Sequence, residues 1–180
     1  MPDVAILDPK MTKTLPPRIT ASTGMDTLCH AIEAFSCLQK NPLSDAYAAQ
    51  AIELVRDYLL KAVCHGYSKE ARLAMANASF LAGAAFSNSM VGVVHAIGHA
   101  LGGVCHVAHG DAMTILLPTG MLFTRKVCKK EYAKLLLSLA GPEIYVKTPE
   151  EKRADRAIHE VLALGNRLHR LTGIPVTLKE

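Results

Sequence analysis

Two spaced pairs of side chains in this 180-residue sequence can do chemistry together: Asp26-x-x-x-His30 and His95-x-x-x-His99. Residues four apart share one face of an α-helix, so each pair points one way if its segment is helical. His106 and His109 follow, in a stretch that also holds Gly92, Gly98, Gly102, Gly103 and Gly110. One carboxylate and two or three imidazoles form a mixed hard and borderline donor set. It suits divalent iron or zinc, and also manganese or cobalt. Ligands drawn from two helices and a loop can leave a coordination position open, which a catalytic metal needs. Each pair alone has a plainer reading: an intrahelical hydrogen bond for Asp26 and His30, a structural pair for His95 and His99. The two pairs with His109 together favour the metal. Spacing alone does not say whether His99 is a ligand or a neighbour.

The elements that must position these residues read as helices. Caps and 3.6-residue periodicity predict them from Ser22 to Ser36, from Ser44 with a stripe Ala48, Ala51, Ile52, Val55, Leu59, and from Ser68 to Ser87. Others are expected over Gly92–Gly103, over Asp111–Arg125 with Pro118 bending it, and over Lys129–Ala140. A last one starts at Thr148-Pro149-Glu150-Glu151 and ends at Gly173, with the stripe Ala157, Val161, Leu164, Leu168, Leu171. His109 is expected in a loop before Asp111. Residues 1–20 carry Pro2, Pro9, Pro16 and Pro17 and read as extended, with Val4–Leu7 as a short strand. The fold class is therefore all-α, with a helical domain over 21–180.

Composition narrows the function classes. Lys and Arg number 20 against 16 Asp and Glu, a net charge of only +4, and half of the residues are apolar. The run Arg125, Lys126, Lys129, Lys130 has no interleaved aromatics and reads as a solvated helix end, so no nucleic-acid partner is expected. No apolar run reaches the ~18–20 residues of a membrane span, and Met1-Pro2-Asp3-Val4 does not open a signal peptide. The cysteines, Cys29, Cys37, Cys64, Cys105 and Cys128, are odd in number and form no C-x-x-C pair, which argues against disulfides and zinc ribbons. They read as buried small apolar residues in a cytoplasmic protein. Met75, Met90, Met113 and Met121 read as core filler. His106 reads as a surface residue or one behind the ligands, His65 as a helix C-cap, and His159 and His169 carry no assigned chemistry.

Pro-Pro-Arg-Ile-Thr-Ala-Ser-Thr-Gly-Met-Asp-Thr-Leu-Cys-His-Ala-Ile-Glu-Ala, from Pro16 to Ala34, resembles the metal-site helix of the iron-containing (group III) alcohol dehydrogenases. Gly92 to Gly103, followed by His106-Val107-Ala108-His109-Gly110, is similar to that family's second signature. The resemblance implies the helical bundle of the C-terminal domain in the dehydroquinate synthase-like fold, with a dinucleotide-binding α/β domain before it. On that basis residues 1–20 follow an absent nucleotide-binding domain, and the helical domain is expected to be cut short after Glu180. The resemblance implies metal ligands at Asp26, His30, His95 and His109. It places His99 beside nicotinamide and substrate as a catalytic and cofactor-contacting residue.

What the resemblance implies chemically is hydride transfer between a small alcohol and its aldehyde or ketone. The cofactors are Fe2+ (or Zn2+ or another divalent ion) and NAD or NADP, the dinucleotide being bound mainly outside these residues. No Gly-rich phosphate loop occurs here, so an isolated chain is expected to be inactive, and the full-length enzyme to be a homo-oligomer. Three other readings stay open: a zinc-type relative resembling glycerol dehydrogenase, a non-haem iron oxygenase using two His and a carboxylate, and a helical module without metal. The presence of His30 favours the iron-type branch.

Overall fold

The computed structural model describes residues 4–179. Among the described residues 77% are helical, 3₁₀ turns included, and no strand occurs. The eight α-helices are α1 (Pro17–Ser36), α2 (Pro42–Cys64), α3 (Lys69–Ser87), α4 (Val93–Cys105), α5 (His109–Thr124), α6 (Lys129–Ala140), α7 (Pro142–Lys147) and α8 (Arg153–Thr172). Val4–Leu7 is irregular, because a strand needs a partner ladder and none is present among the described residues. No helix is long and apolar enough to cross a membrane, among the described residues.

α1 is the centre of the domain. It packs against α2, α3 and α5 and touches α6 and α8. Its buried residues therefore cover more than one stripe, from Ala21, Met25, Leu28 and Ile32 to Thr27, Cys29 and Glu33. A helix enclosed by neighbours loses its amphipathic pattern. α1 starts earlier than the apolar pattern indicates, with Pro17 in its first turn. The expected stripe of α2 is buried throughout: Ala48, Ala51, Ile52, Val55 and Leu59. Its start differs. Asn41 is the N-cap and Ser44 is the reciprocal member of a capping box, with Pro42 at the first helical position. Ser68 caps α3 as expected, accepting from the Ala71 amide at 3.2 Å.

Other differences lie at the α7–α8 junction, at Met90, among the cysteines and at Leu171. Thr148 does not start α8. Its hydroxyl donates back to the Ile144 carbonyl and closes the short α7, which the sequence reading omitted, and α8 begins at Arg153 after a single 3₁₀ turn. α5 runs through Pro118 as one helix, as expected. Met113 and Met121 are core residues as expected, whereas Met90 is exposed in a left-handed backbone conformation. Of the five free cysteines only Cys29 is buried; Cys64 and Cys105 are exposed. Leu171, at the end of the α8 stripe, is half-exposed, while Ala157, Val161 and Leu168 are buried.

Candidate metal centre

α1 and α4 bring their paired residues to one place, and the start of α5 closes it. Asp26 Oδ1 lies 3.6 Å from His95 Nε2 and 3.2 Å from His109 Nε2. The ligand-type atoms of Asp26, His95 and His109 all lie within 4.8 Å of one another. His30 stands just outside that set, its ring 4.2 Å from that of His95 and stacked on Phe86 at 4.6 Å. His30 Nδ1 meets the Asp26 backbone carbonyl at 3.0 Å. A carbonyl only accepts, so Nδ1 donates, and Nε2 of the neutral ring keeps the free lone pair.

His99 lies one turn beyond His95 and is exposed. Its ring is 5.7 Å from that of His95 and 5.2 Å from that of His109, on which it stacks. It is outside the cluster and beside its open edge. His106 is exposed and takes the left-handed conformation that ends α4, with φ 55°. His109 is the first residue of α5, not a loop residue. The reason is Asp111 in the first turn of α5, which accepts from Arg18 at 2.9 Å and Ser22 at 3.1 Å on α1. The two helices meet there so closely that a Cβ on Gly110 would come within 2.4 Å of Ser22 Oγ and 2.8 Å of its carbonyl oxygen. Glycine is what allows α5 to begin at this point.

Behind His95 stands Glu33. The His95 Nδ1–H donates to Glu33 Oε2 at 2.7 Å, and the carboxylate also accepts from the amides of Val94 at 2.7 Å and His95 at 3.2 Å. Burial works against ionised Glu33, but the hydrogen bonds from His95 and from the α4 amides outweigh it and hold the carboxyl below its ordinary range. The same balance holds Asp26 low: burial opposes its charge, and His95, His30 and His109 restore it. Burial also disfavours a charged His95, yet Asp26 and Glu33 on either side push its pKa up to about 9. Burial lowers that of His30, against the pull of Asp26.

Asp26 Oδ1 and His95 Nε2 are buried and have no hydrogen-bond partner. At 3.6 Å the two are too far apart to bond to each other, and His109 Nε2 is near Oδ1 without hydrogen-bond alignment. A buried, unsatisfied carboxylate oxygen facing a buried, unsatisfied ring nitrogen is costly unless something lies between them. A divalent cation fits both, and the one-carboxylate, three-imidazole donor chemistry suits it.

A profile of the Fe-containing alcohol dehydrogenase family, C-terminal, matches residues 20–178. The chain belongs to the iron-containing alcohol dehydrogenase family. Within it, the chain is 43% identical over 176 residues to long-chain-alcohol dehydrogenase 1 of Geobacillus thermodenitrificans, covering 98% of this chain and 43% of that protein. It is 41% identical over 181 residues to the NADPH-dependent butanol dehydrogenase of Clostridium saccharobutylicum, covering 99% and 44%. Its fold superposes on the crystal structure of 1,3-propanediol oxidoreductase with a TM-score of 0.88 at 37% identity, covering 97% of this chain and 44% of that one. The chain thus spans under half the length of the relatives it matches, in the region of the family's helical C-terminal domain. This membership does not favour an oxygenase or a metal-free module.

For a member of this dehydrogenase family, the residue that the spacing argument missed is Glu33. The signal was present in the sequence: Asp26, His30 and Glu33 are spaced i, i+4, i+7 and share one helical stripe. Arg72 and Asp111, both buried, were missed as well. Arg72 binds Thr20 and the Leu15 carbonyl, tying α3 to the start of α1.

Proposed function

We propose that this chain is the metal-binding half of the active site of an NAD(P)-dependent alcohol dehydrogenase. It interconverts a small alcohol and its aldehyde or ketone in the complete protein. The observation that carries the proposal is the buried pair of unpartnered atoms, Asp26 Oδ1 and His95 Nε2, with His109 Nε2 beside them. Asp26, His30, His95 and His109 would hold a divalent cation, Fe2+ by family, with Zn2+ as the competing ion. When bound, the cation supplies Lewis acidity toward the alcohol oxygen, and the nicotinamide supplies the hydride acceptor.

The protein groups have separate tasks. Asp26 brings the negative charge, and the imidazoles bring neutral donors that fix its surroundings. A cleft of about 650 Å³ between α1 and α3 reaches Asp26 and His30 and is walled by Met75, Phe80 and Phe86, an apolar lining for the carbon chain of an alcohol. His99, exposed at the edge of the cluster, is placed to carry a proton at a ring nitrogen. The dinucleotide is held mainly by residues outside these 180, because the relatives are more than twice as long and no phosphate-binding Gly-rich loop occurs here.

The experiment is metal analysis of the complete protein, with its dinucleotide-binding residues, and of its Asp26→Ala variant after exposure to Fe2+ or Zn2+, with alcohol-dependent reduction of NAD+ and NADP+ as the second readout. One ion per chain is expected, lost together with turnover in Asp26→Ala. A protein that retains no stoichiometric metal under these conditions overturns the proposal.

A further inference from the structure

We propose that Glu33 is the positioning residue for the metal centre: it sets which nitrogen of His95 faces the ion and locks the angle of that ring. The inference rests on the metal-binding reading above. Glu33 is on α1, seven residues after Asp26, and is 5% exposed. Its Oε2 accepts the His95 Nδ1–H at 2.7 Å. A carboxylate only accepts, so in metal-ready His95 the proton sits on Nδ1 and the lone pair sits on Nε2. Nε2 is the atom left unpartnered opposite Asp26 Oδ1. A carboxylate behind a ligating imidazole fixes its tautomer and raises its basicity.

Glu33 also sets the position of the helix that carries His95. α4 has no side-chain cap from its own sequence, since its N-cap is Gly92. Glu33 takes that role from another helix, accepting the Val94 amide at 2.7 Å on Oε1 and the His95 amide at 3.2 Å on Oε2. An anion at a helix N-terminus is favoured by the helix dipole. One carboxylate therefore fixes the backbone of residue 95 and its ring at once. Gly92 is part of the device: a Cβ there would come within 2.7 Å of Glu33 Oε1.

A second cluster of ligand-type atoms, Cys29, Glu33 and His95, lies wholly buried behind the ring. It is not a second metal site. His95 Nδ1 and the Glu33 oxygens are committed to each other and to the α4 amides. This cluster is the support for the first.

Glu33→Gln keeps the shape and removes this function. An amide has one acceptor oxygen: at the Oε2 position it can still take the His95 Nδ1–H and the His95 amide, but its NH2 then faces the Val94 amide that Oε1 accepts, donor against donor, and the reverse orientation sets the NH2 against the His95 Nδ1–H. Zinc, which is diamagnetic, serves as the probe in competition with a chelator. Zinc binding is expected to weaken by about 10–100-fold in Glu33→Gln, the usual cost of losing such a partner. Gly92→Ala, which leaves Glu33 in place but crowds it, is expected to weaken binding in the same direction. In the zinc-loaded wild type, 15N-histidine spectra should show His95 protonated on Nδ1, with its proton strongly downfield. A purely structural cap would lower the melting temperature of the metal-free variant and leave the zinc affinity of the folded protein unchanged. That result, or a wild-type His95 that carries its proton on Nε2 when zinc is bound, overturns the inference alone. A wild type that takes up no zinc overturns the metal reading, and this inference with it.

Discussion

The two sides of the candidate centre are built differently. His95 sits on the inner wall, with a side chain only 2% exposed, clasped between Asp26 and Glu33. His109 sits on the rim, 43% exposed, and among the described residues no carboxylate stands behind its ring as Glu33 stands behind that of His95. Its position comes from the backbone: α5 starts there because Asp111 is tied to Arg18 and Ser22 and because Gly110 lets the helices touch. One histidine is held by buried hydrogen bonds to its own ring, the other by where its helix begins. The inner wall gives the site rigidity. The rim, with His99 stacked on His109, is open to solvent.

The sharpest way to break this comparison is to remove each imidazole in turn. His95→Ala should empty the site and also destabilise the metal-free protein by about 3 kcal/mol, because it leaves Glu33 buried without its partner. His109→Ala should weaken metal binding beyond the ~10–100-fold typical of an outer partner. Its unfolding midpoint without metal should stay close to wild type, since an exposed ring leaves no buried charge behind. Denaturant unfolding and metal titration of both variants measure this. Equal stability losses would mean that the inner and outer sides are not different in kind.

A second measurement separates the rim's chemistry from its binding. His99→Ala should keep its metal and lose turnover by about 10²-fold, as for loss of a general acid–base group. Metal loss in this variant with retention in His109→Ala would make His95 and His99 the chelate and exchange the roles of the two rim residues.

The smallest expected effect comes from the backbone that holds the rim. Gly110→Ala places a methyl against Ser22 and should cost about 1 kcal/mol by overpacking. The shift should fall on His109 and leave His95 alone. In 15N-histidine spectra, His109 resonances should move and those of His95 should not. Movement of both would show that the two sides are mechanically one.

Much of this architecture is legible locally. Ser68, the span Lys129–Ala140 and Gly173 were read correctly because caps, periodicity and left-handed stops are encoded within a few residues. The errors fell where a neighbour supplied the information. Thr148 bonds backward to Ile144 instead of forward, and Ser44 serves a cap that begins at Asn41. His109 became helical because α1 anchors Asp111.

The sequence by itself determined that Asp26 and His30 share one face of a helix, and that His95 and His99 share another. Four residues advance a helix by about one turn, and that geometry needs no other part of the chain. It also placed Glu33 on the stripe of Asp26 and His30, although its use could not be read there. Only the tertiary structure decided that these faces meet and that His95 lies inside while His109 and His99 lie at the edge. It alone joined Glu33 to His95 across the separation from α1 to α4. The physical reason is that a face is set by rotation per residue, whereas convergence is set by how whole helices pack. That packing depends on contacts such as Gly110 on Ser22, between residues far apart in the chain.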